Sequence, residues 1–326
     1  MQTYISEGKM VGLSAGVLDN DSISWTHSEG YSDLKTKSNF TENTLSRTAS
    51  ITKPMTAIAI MQLTEKGKLS LGDKVSQYIP EFRTGVLQDI TIKHLLQHSS
   101  GISEYKNSRE ANNEKDYATL NEAMQIFVKR KLKFDPGTNF GYTSYGYVVL
   151  GCVIETVSDM SYEAYLKKNI WDVAGMTHTS VEYFGKSYDN KAAKYHQSKP
   201  GKIKETDSHN VSDRIPGGGV QSTVEDLLKF AKAVLNDQLV SKASLEMMIE
   251  NSGLKKQGNG YGMGWYLYGE NKRLGNLIGH NGSQYGCSSF LFIFPESNAA
   301  VVVLSNTSGA LQEVTNLAIN LFALID

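Results

Sequence analysis

The sequence predicts an α/β protein whose sheet is built from both chain termini and flanked by helices, with an all-α insertion between the two halves. Three observations carry this. Short β-favouring runs open the chain, apolar residues at helical spacing fill its middle, and alternating or continuous apolar runs return beyond Gly258. Strands at both ends around a helical middle imply one layered domain interrupted by another. The chain has 326 residues, enough for roughly two domains at about 150 residues each. The expected division puts 1–56 and 206–326 in the α/β domain and 57–205 in the mostly helical one.

Taken in order, Val11 to Val17 and Ser22 to Thr26 flank the turn-forming Asp19, Asn20 and Asp21, which predicts a β-hairpin. After Ser50, the residues Ile51, Met55, Ile58, Ala59 and Met61 recur at helical spacing, and Pro54 falls in the first turn, where a missing N–H is tolerated. Further helical patterns cover about 119 to 131, 145 to 158 and 161 to 172, the first with Thr119 and Glu122 at capping-box spacing. From about 175 to 219 the chain is polar and aperiodic and ends in Pro216, Gly217, Gly218 and Gly219, a pattern of connecting loops. Thr223 and Asp226 open another helix. Strand-like runs at about 261 to 268, 287 to 294 and 299 to 304 then lead to an amphipathic helix from about 309 to 325.

Composition narrows the function. Lys plus Arg number 33 against 34 Asp plus Glu, a net charge of -1 with no basic block, so nucleic acid is not expected as a partner. No apolar run reaches the length of a bilayer-spanning helix, so no integral membrane segment is expected. Cys152 and Cys287 are the only cysteines and lack metal-ligand spacing. Met1 to Gly12 does not read as a basic segment followed by an apolar one, so no signal peptide is expected within this chain.

Several motif look-alikes lack their context. Gly12 to Gly16 match G-x-S-x-G, but Ser14 lies in a strand-like run with almost no chain before it, not on a strand-to-helix turn. His94 and His98 have the i, i+4 spacing of a zinc pair, but Leu95 stands where the metalloprotease motif needs Glu, so they are expected to cap and pack a helix end and no metal site is predicted. Gly185, Lys186 and Ser187 imitate the end of a P-loop without its upstream Gly. Gly258, Gly260, Gly262 and Gly264 at spacing two fit a close backbone approach.

A serine hydroxyl becomes a nucleophile when a base takes its proton, and Ser-x-x-Lys on a helix places an amine on the same face three residues on. Five pairs match: Ser6/Lys9, Ser32/Lys35, Ser50/Lys53, Ser103/Lys106 and Ser252/Lys255. Only Ser50 begins a long apolar-periodic helix, where free N–H groups and the positive end of the dipole can hold developing negative charge. Burial of Lys53 would lower its pKa and suit it to accept a proton.

Thr48 to Met55, reading TASITKPM, resembles the first motif of serine β-lactamase-like and penicillin-binding proteins, specifically their class C branch. His94 to Ile102 (HLLQHSSGI) is similar to a segment that branch carries after its first helices. Pro136 to Gly151 (PGTNFGYTSYGYVVLG) resembles its second motif, with Tyr142 at the tyrosine position. His280, Asn281 and Gly282, followed by Ser283, resemble its third motif in the His-x-Gly form of some DD-peptidases and esterases. The resemblance spans most of the chain. It implies an antiparallel sheet of the β-lactamase/transpeptidase-like fold and an active site in the cleft between the two domains. It further implies Ser50 as the acylated nucleophile, Lys53 and Tyr142 as general base and proton shuttle, and the N–H groups of Ser50 and Ser283 as an oxyanion hole beside Gly282. His280 would line the opposite wall and orient substrate. No cofactor is implied, and the partner is a small-molecule or short-peptide substrate.

Two departures bear on the substrate. Ser144 stands where class C usually has Asn, and its hydroxyl reaches less far toward a substrate amide. His280 replaces Lys, so a neutral imidazole offers no cation to a substrate carboxylate. Both weaken the expectation of an efficient β-lactamase and favour esters or D-amino-acid peptides. The resemblance places the protein in the periplasm or outside the cell if a leader has been removed, and in the cytoplasm otherwise; oligomeric state is not legible.

Overall fold

The computed structural model describes residues 1–325 except 113, 200, 207, 208 and 256. Its main sheet contains β1 (Gly12–Asp19), β2 (Ser22–Asp33), β3 (Ser38–Asn39), β4 (Gly260–Tyr261), β5 (Tyr266–Asn271), β6 (Gly275–Gln284), β7 (Cys287–Phe294) and β8 (Ala299–Ser305). The order is β3-β2-β1-β8-β7-β6-β5-β4, and neighbours run antiparallel. The two chain ends join where Ala15 of β1 lies opposite Val303 of β8.

Strands β7 and β8 are buried on both faces, which is why they read as continuous apolar runs. Phe290, Phe292, Phe294, Val301 and Val303 point to one side, onto Val314 and Leu317 of the C-terminal helix. Leu291, Ile293, Val302 and Leu304 point to the other, into the large core shared with the helices. Those helices include α1 (Thr52–Glu65), α2 (Ser144–Ser158) and α3 (Val224–Leu235), and the C-terminal helix is α4 (Leu311–Asn320). The Thr223 hydroxyl caps α3 by accepting from the Asp226 N–H at 3.2 Å.

The hairpin turn is the expected one: Asn20 and Asp21 both take left-handed φ, 44° and 65°, between paired Asp19 and Ser22. β2 runs on to Asp33, beyond the expected end at Thr26, held by pairing with β1 as far as Gly30 and with β3 at Tyr31 and Asp33; its polar residues carry no apolar alternation to mark that length in the sequence. The helix expected over 119–131 is shorter. Thr119 caps it, but α-helix spans only Leu120–Met124, after which Ile126 and Phe127 donate to the carbonyls three residues back. The strand expected over 261–268 is divided, because Gly264, at φ 86°, turns the chain against Ala57 of α1. β6 was not expected as a complete strand: its sequence, GNLIGHNGSQ, is glycine-rich and polar. The last helix ends at Asn320 and closes with a 3₁₀ turn, Leu321–Leu324. The loop region 175–219 also holds short strands, among them Tyr195–Lys199 and Lys202–Glu205.

Candidate active site

Ser50 lies half-buried in a single 3₁₀ turn, Ala49–Ile51, that runs directly into α1. The residue before it, Ala49, has φ 48°, a left-handed conformation costly for a residue with a Cβ. Neighbours hold it there: the Thr52 hydroxyl donates to the Ala49 carbonyl at 2.8 Å, and that of Ser289 to the Thr48 carbonyl at 2.9 Å. One helical turn on, Lys53 is completely buried. Its Nζ lies 3.1 Å from Ser50 Oγ, 3.3 Å from Ser144 Oγ and 2.7 Å from the Gly217 carbonyl oxygen. No carboxylate is among these contacts, and burial pulls the Lys53 pKa from 10.5 to about 7, opposed by the charge of Glu104 and aided by that of Arg214. As a neutral amine it can donate to Gly217 and Ser144 while its lone pair accepts from Ser50 Oγ.

Tyr142 precedes α2. The Thr143 hydroxyl caps that helix by accepting from Gly146 N–H. Lys53 Nζ stands 4.7 Å from the centre of the Tyr142 ring. Burial pushes the Tyr142 phenol well above its usual pKa, partly offset by a hydrogen bond with Ser50. The Ser144 N–H donates to the Glu104 carboxylate, which thus sits at the positive end of α2. Ser144 itself faces Lys53.

The sheet supplies the facing wall. Pairing of β5 with β6 begins at Tyr266 and Gly279, so His280 to Gln284 pair with β7 alone on the other side. A Cβ on Gly282 would lie 2.3 Å from the Thr48 carbonyl oxygen and 2.2 Å from Ser289 Oγ, so glycine is what lets this edge close on the turn bearing Ser50. Ser283, next along, is exposed. Beyond it a cavity of about 410 Å³ is lined by Tyr105, His209, Arg214, Gln284 and Tyr285 among others.

His280 is completely buried, and both ring nitrogens are engaged. Its Nδ1 is 2.6 Å from the Asn281 carbonyl oxygen, which can only accept, so Nδ1 carries the proton. Its Nε2 therefore accepts from the Tyr261 hydroxyl, 3.3 Å away. Tyr261 Oη in turn is 3.2 Å from Nε2 of His98, whose Nδ1 accepts from the Thr143 N–H at 3.2 Å. Both ends of this chain demand the same orientation: His98 donates to Tyr261, and Tyr261 donates to His280. Both imidazoles are neutral. Burial lowers the His280 pKa to about 3 and that of His98 well below its usual value. The His98 ring packs 4.2 Å from the Tyr142 ring, so the network backs the tyrosine as well.

Sequence reasoning missed Glu104, Tyr261 and the Gly217 carbonyl, and read His98 only as helix packing. Ser14, by contrast, is buried in mid-strand beside the Ser28 hydroxyl. His94 completes a capping box with Thr91 on the helix Ile92–Leu96. Among the described residues no group of three or more His, Cys, Asp or Glu could hold a metal. Nor, among them, is any helix long and apolar enough to cross a membrane.

An antiparallel sheet joining both termini, layered with helices and meeting Ser50, Lys53 and Tyr142 at its open edge, defines the β-lactamase/transpeptidase-like fold. A model of the Beta-lactamase family matches residues 1–324, and the chain belongs to that family. It is 33% identical over 304 residues to Penicillin-binding protein 4* of Bacillus subtilis (strain 168), covering 87% of this chain. The chain spans 65% of that relative's length. The crystal structure of a penicillin-binding protein from Bacillus halodurans superposes with a TM-score of 0.85 at 25% identity, covering 98% of each chain. D-amino acid amidase from Ochrobactrum anthropi SV3 shares the fold, with a TM-score of 0.86 at 21% identity over 99% of this chain and 96% of its own.

Proposed function

We propose that the protein is a serine hydrolase acting through a covalent acyl-Ser50 intermediate on esters or D-amino-acid peptide and amide bonds, as an esterase or DD-peptidase does. The observation that carries this is the buried Lys53 amine, its pKa near 7, placed 3.1 Å from Ser50 Oγ. In the proposed cycle Lys53 takes the Oγ proton as Oγ bonds to the substrate carbonyl carbon. The N–H groups of Ser50 and Ser283 hold the resulting oxyanion. As the carbonyl re-forms, the bond to the leaving group breaks, and the proton passes from Lys53 through the Tyr142 phenol to the departing oxygen or nitrogen. Water then attacks the acyl-serine, its proton goes to the same relay, and Ser50 Oγ regains a proton as the acid departs. His280, neutral and buried, holds the edge strand and Tyr261 in place. No step requires a metal or organic cofactor.

Turnover of a p-nitrophenyl ester, a D-alanyl peptide and a cephalosporin tests the reading. The ester or peptide is hydrolysed faster than the cephalosporin, and Ser50→Ala abolishes each activity. Cephalosporin turnover dominating by orders of magnitude would identify a class C-like β-lactamase instead, and a penicillin adduct with no turnover of any substrate a binding receptor.

A further inference from the structure

We propose that Glu104, which lies outside the three motifs, is a positioning residue for the proton relay: its carboxylate holds Ser144 against Lys53 and supplies the negative charge that the immediate surroundings of Lys53 lack. This rests on the reading of Lys53 as the base and assigns the group that keeps it basic.

The Lys53 amine is enclosed by neutral groups. Ser50 Oγ, Ser144 Oγ and the Gly217 carbonyl oxygen lie within 3.3 Å of Nζ. The Tyr142 and Tyr147 rings stand 4.7 and 5.5 Å away, and both phenols are held above their usual pKa by burial. The nearby imidazoles of His98 and His280 are neutral. Two charges act on Lys53 from outside this shell, those of Glu104 and Arg214.

Glu104 reaches it by a continuous path. Its carboxylate accepts from the Ser144 N–H, and Ser144 Oγ lies 3.3 Å from Lys53 Nζ. The first turn of α2 has free N–H groups to satisfy, and two side chains divide them: Thr143 takes that of Gly146, and Glu104 takes that of Ser144. Glu104 therefore fixes the end of α2 that carries the Ser144 hydroxyl. Among the described residues its carboxylate makes no ion pair, so its charge is not cancelled locally. The opposing cation is balanced in place. Arg214 donates to both carboxylate oxygens of Asp213, at 2.7 and 3.1 Å, and to the Ala111 carbonyl, and it covers the Tyr105 ring at 4.5 Å.

Burial drives Lys53 toward the free amine, Arg214 acts in the same direction, and Glu104 opposes both. Without Glu104 the amine is free at lower pH, but it is a weaker acceptor for the Ser50 proton.

The test follows two rates from pH 5 to 9: kcat/KM for an uncharged p-nitrophenyl ester, and labelling of Ser50 by a fluorophosphonate. Glu104→Gln keeps a carbonyl oxygen for the Ser144 N–H and removes only the charge. Its acid limb moves to lower pH by about one unit, so the tenfold fall from pH 8 to pH 6 shrinks to about twofold, with a lower plateau. Glu104→Ala, which also loses the cap, shows the same displacement, and Glu104→Asp, which keeps the charge, holds the limb near the wild-type position. A helix cap alone would lower the rates in Glu104→Ala and leave the limb in place; a group that only binds substrate would raise KM for the ester and leave the labelling limb in place. An acid limb unmoved or moved upward in Glu104→Gln and Glu104→Ala would overturn the proposal while leaving Lys53 as the base. A limb that persists in Lys53→Met would refute the underlying reading, and the role of Glu104 with it.

Discussion

If Lys53 must be neutral to take the proton of Ser50, the rate carries its titration. With a pKa of about 7, roughly a tenth of the protein has the free amine at pH 6 and about nine-tenths at pH 8. Burial lowers this pKa by disfavouring the ammonium, so activity is lost as pH falls through about 7 and levels off above it. Three neighbouring groups stay outside this window: His280 sits at about 3, His98 is held well below its usual value, and Tyr142 well above its own. The assay is kcat/KM for a neutral ester from pH 5.5 to 9, with a fall of about tenfold from pH 8 to pH 6. Lys53→Met removes the base and lowers kcat by about 100-fold or more, and with it the acid limb. A flat profile between pH 6 and 8 in the wild type, or an acid limb that survives in Lys53→Met, would show that Lys53 is not the base.

Three other perturbations test the surroundings. Tyr261→Phe strands Nε2 of two buried histidines and costs about 2 kcal/mol in urea unfolding, with a lower kcat from a less firmly held Tyr142. Gly282→Val drives a side chain into the Thr48 carbonyl and Ser289, costing about 1–3 kcal/mol and displacing the edge strand, which thermal unfolding and ester turnover together record. Glu182, buried against Arg47 at 2.6 Å and Lys191 at 2.8 Å, has its pKa lowered from 4.5 to about 2, chiefly by the Arg47 charge against the opposing effect of burial. That stabilisation, about 3 kcal/mol, is complete above pH 4.5 and is withdrawn as pH falls toward 2; Glu182→Gln flattens this part of the stability profile.

What could be read from the sequence was what local spacing encodes. Ser50 and Lys53 meet because residues three apart share a helical face, and β7 and β8 were visible because both their faces are buried. β6 was obscured because glycine and polar residues, needed where the strand approaches Thr48 and opens to solvent, leave no apolar alternation. The Lys53 amine meets Ser144 and Gly217, and Tyr261 joins His98 to His280, through contacts between segments remote in sequence. No periodicity connects such residues. Tyr261 in the run GYGMGW reads as one more packed aromatic until its hydroxyl is placed between two imidazoles. Glu104 carried no signal beyond its position just after HSSGI, although its carboxylate receives the Ser144 N–H.

Every step of the proposed cycle depends on Ser50 Oγ carrying the covalent acyl group. Intact-mass spectrometry of the wild type and Ser50→Ala after exposure to a fluorophosphonate measures this most directly. A single adduct is expected on the wild type, mapped to the peptide containing Ser50, and none on the variant. An unmodified wild type, or an adduct that persists in Ser50→Ala, would contradict it.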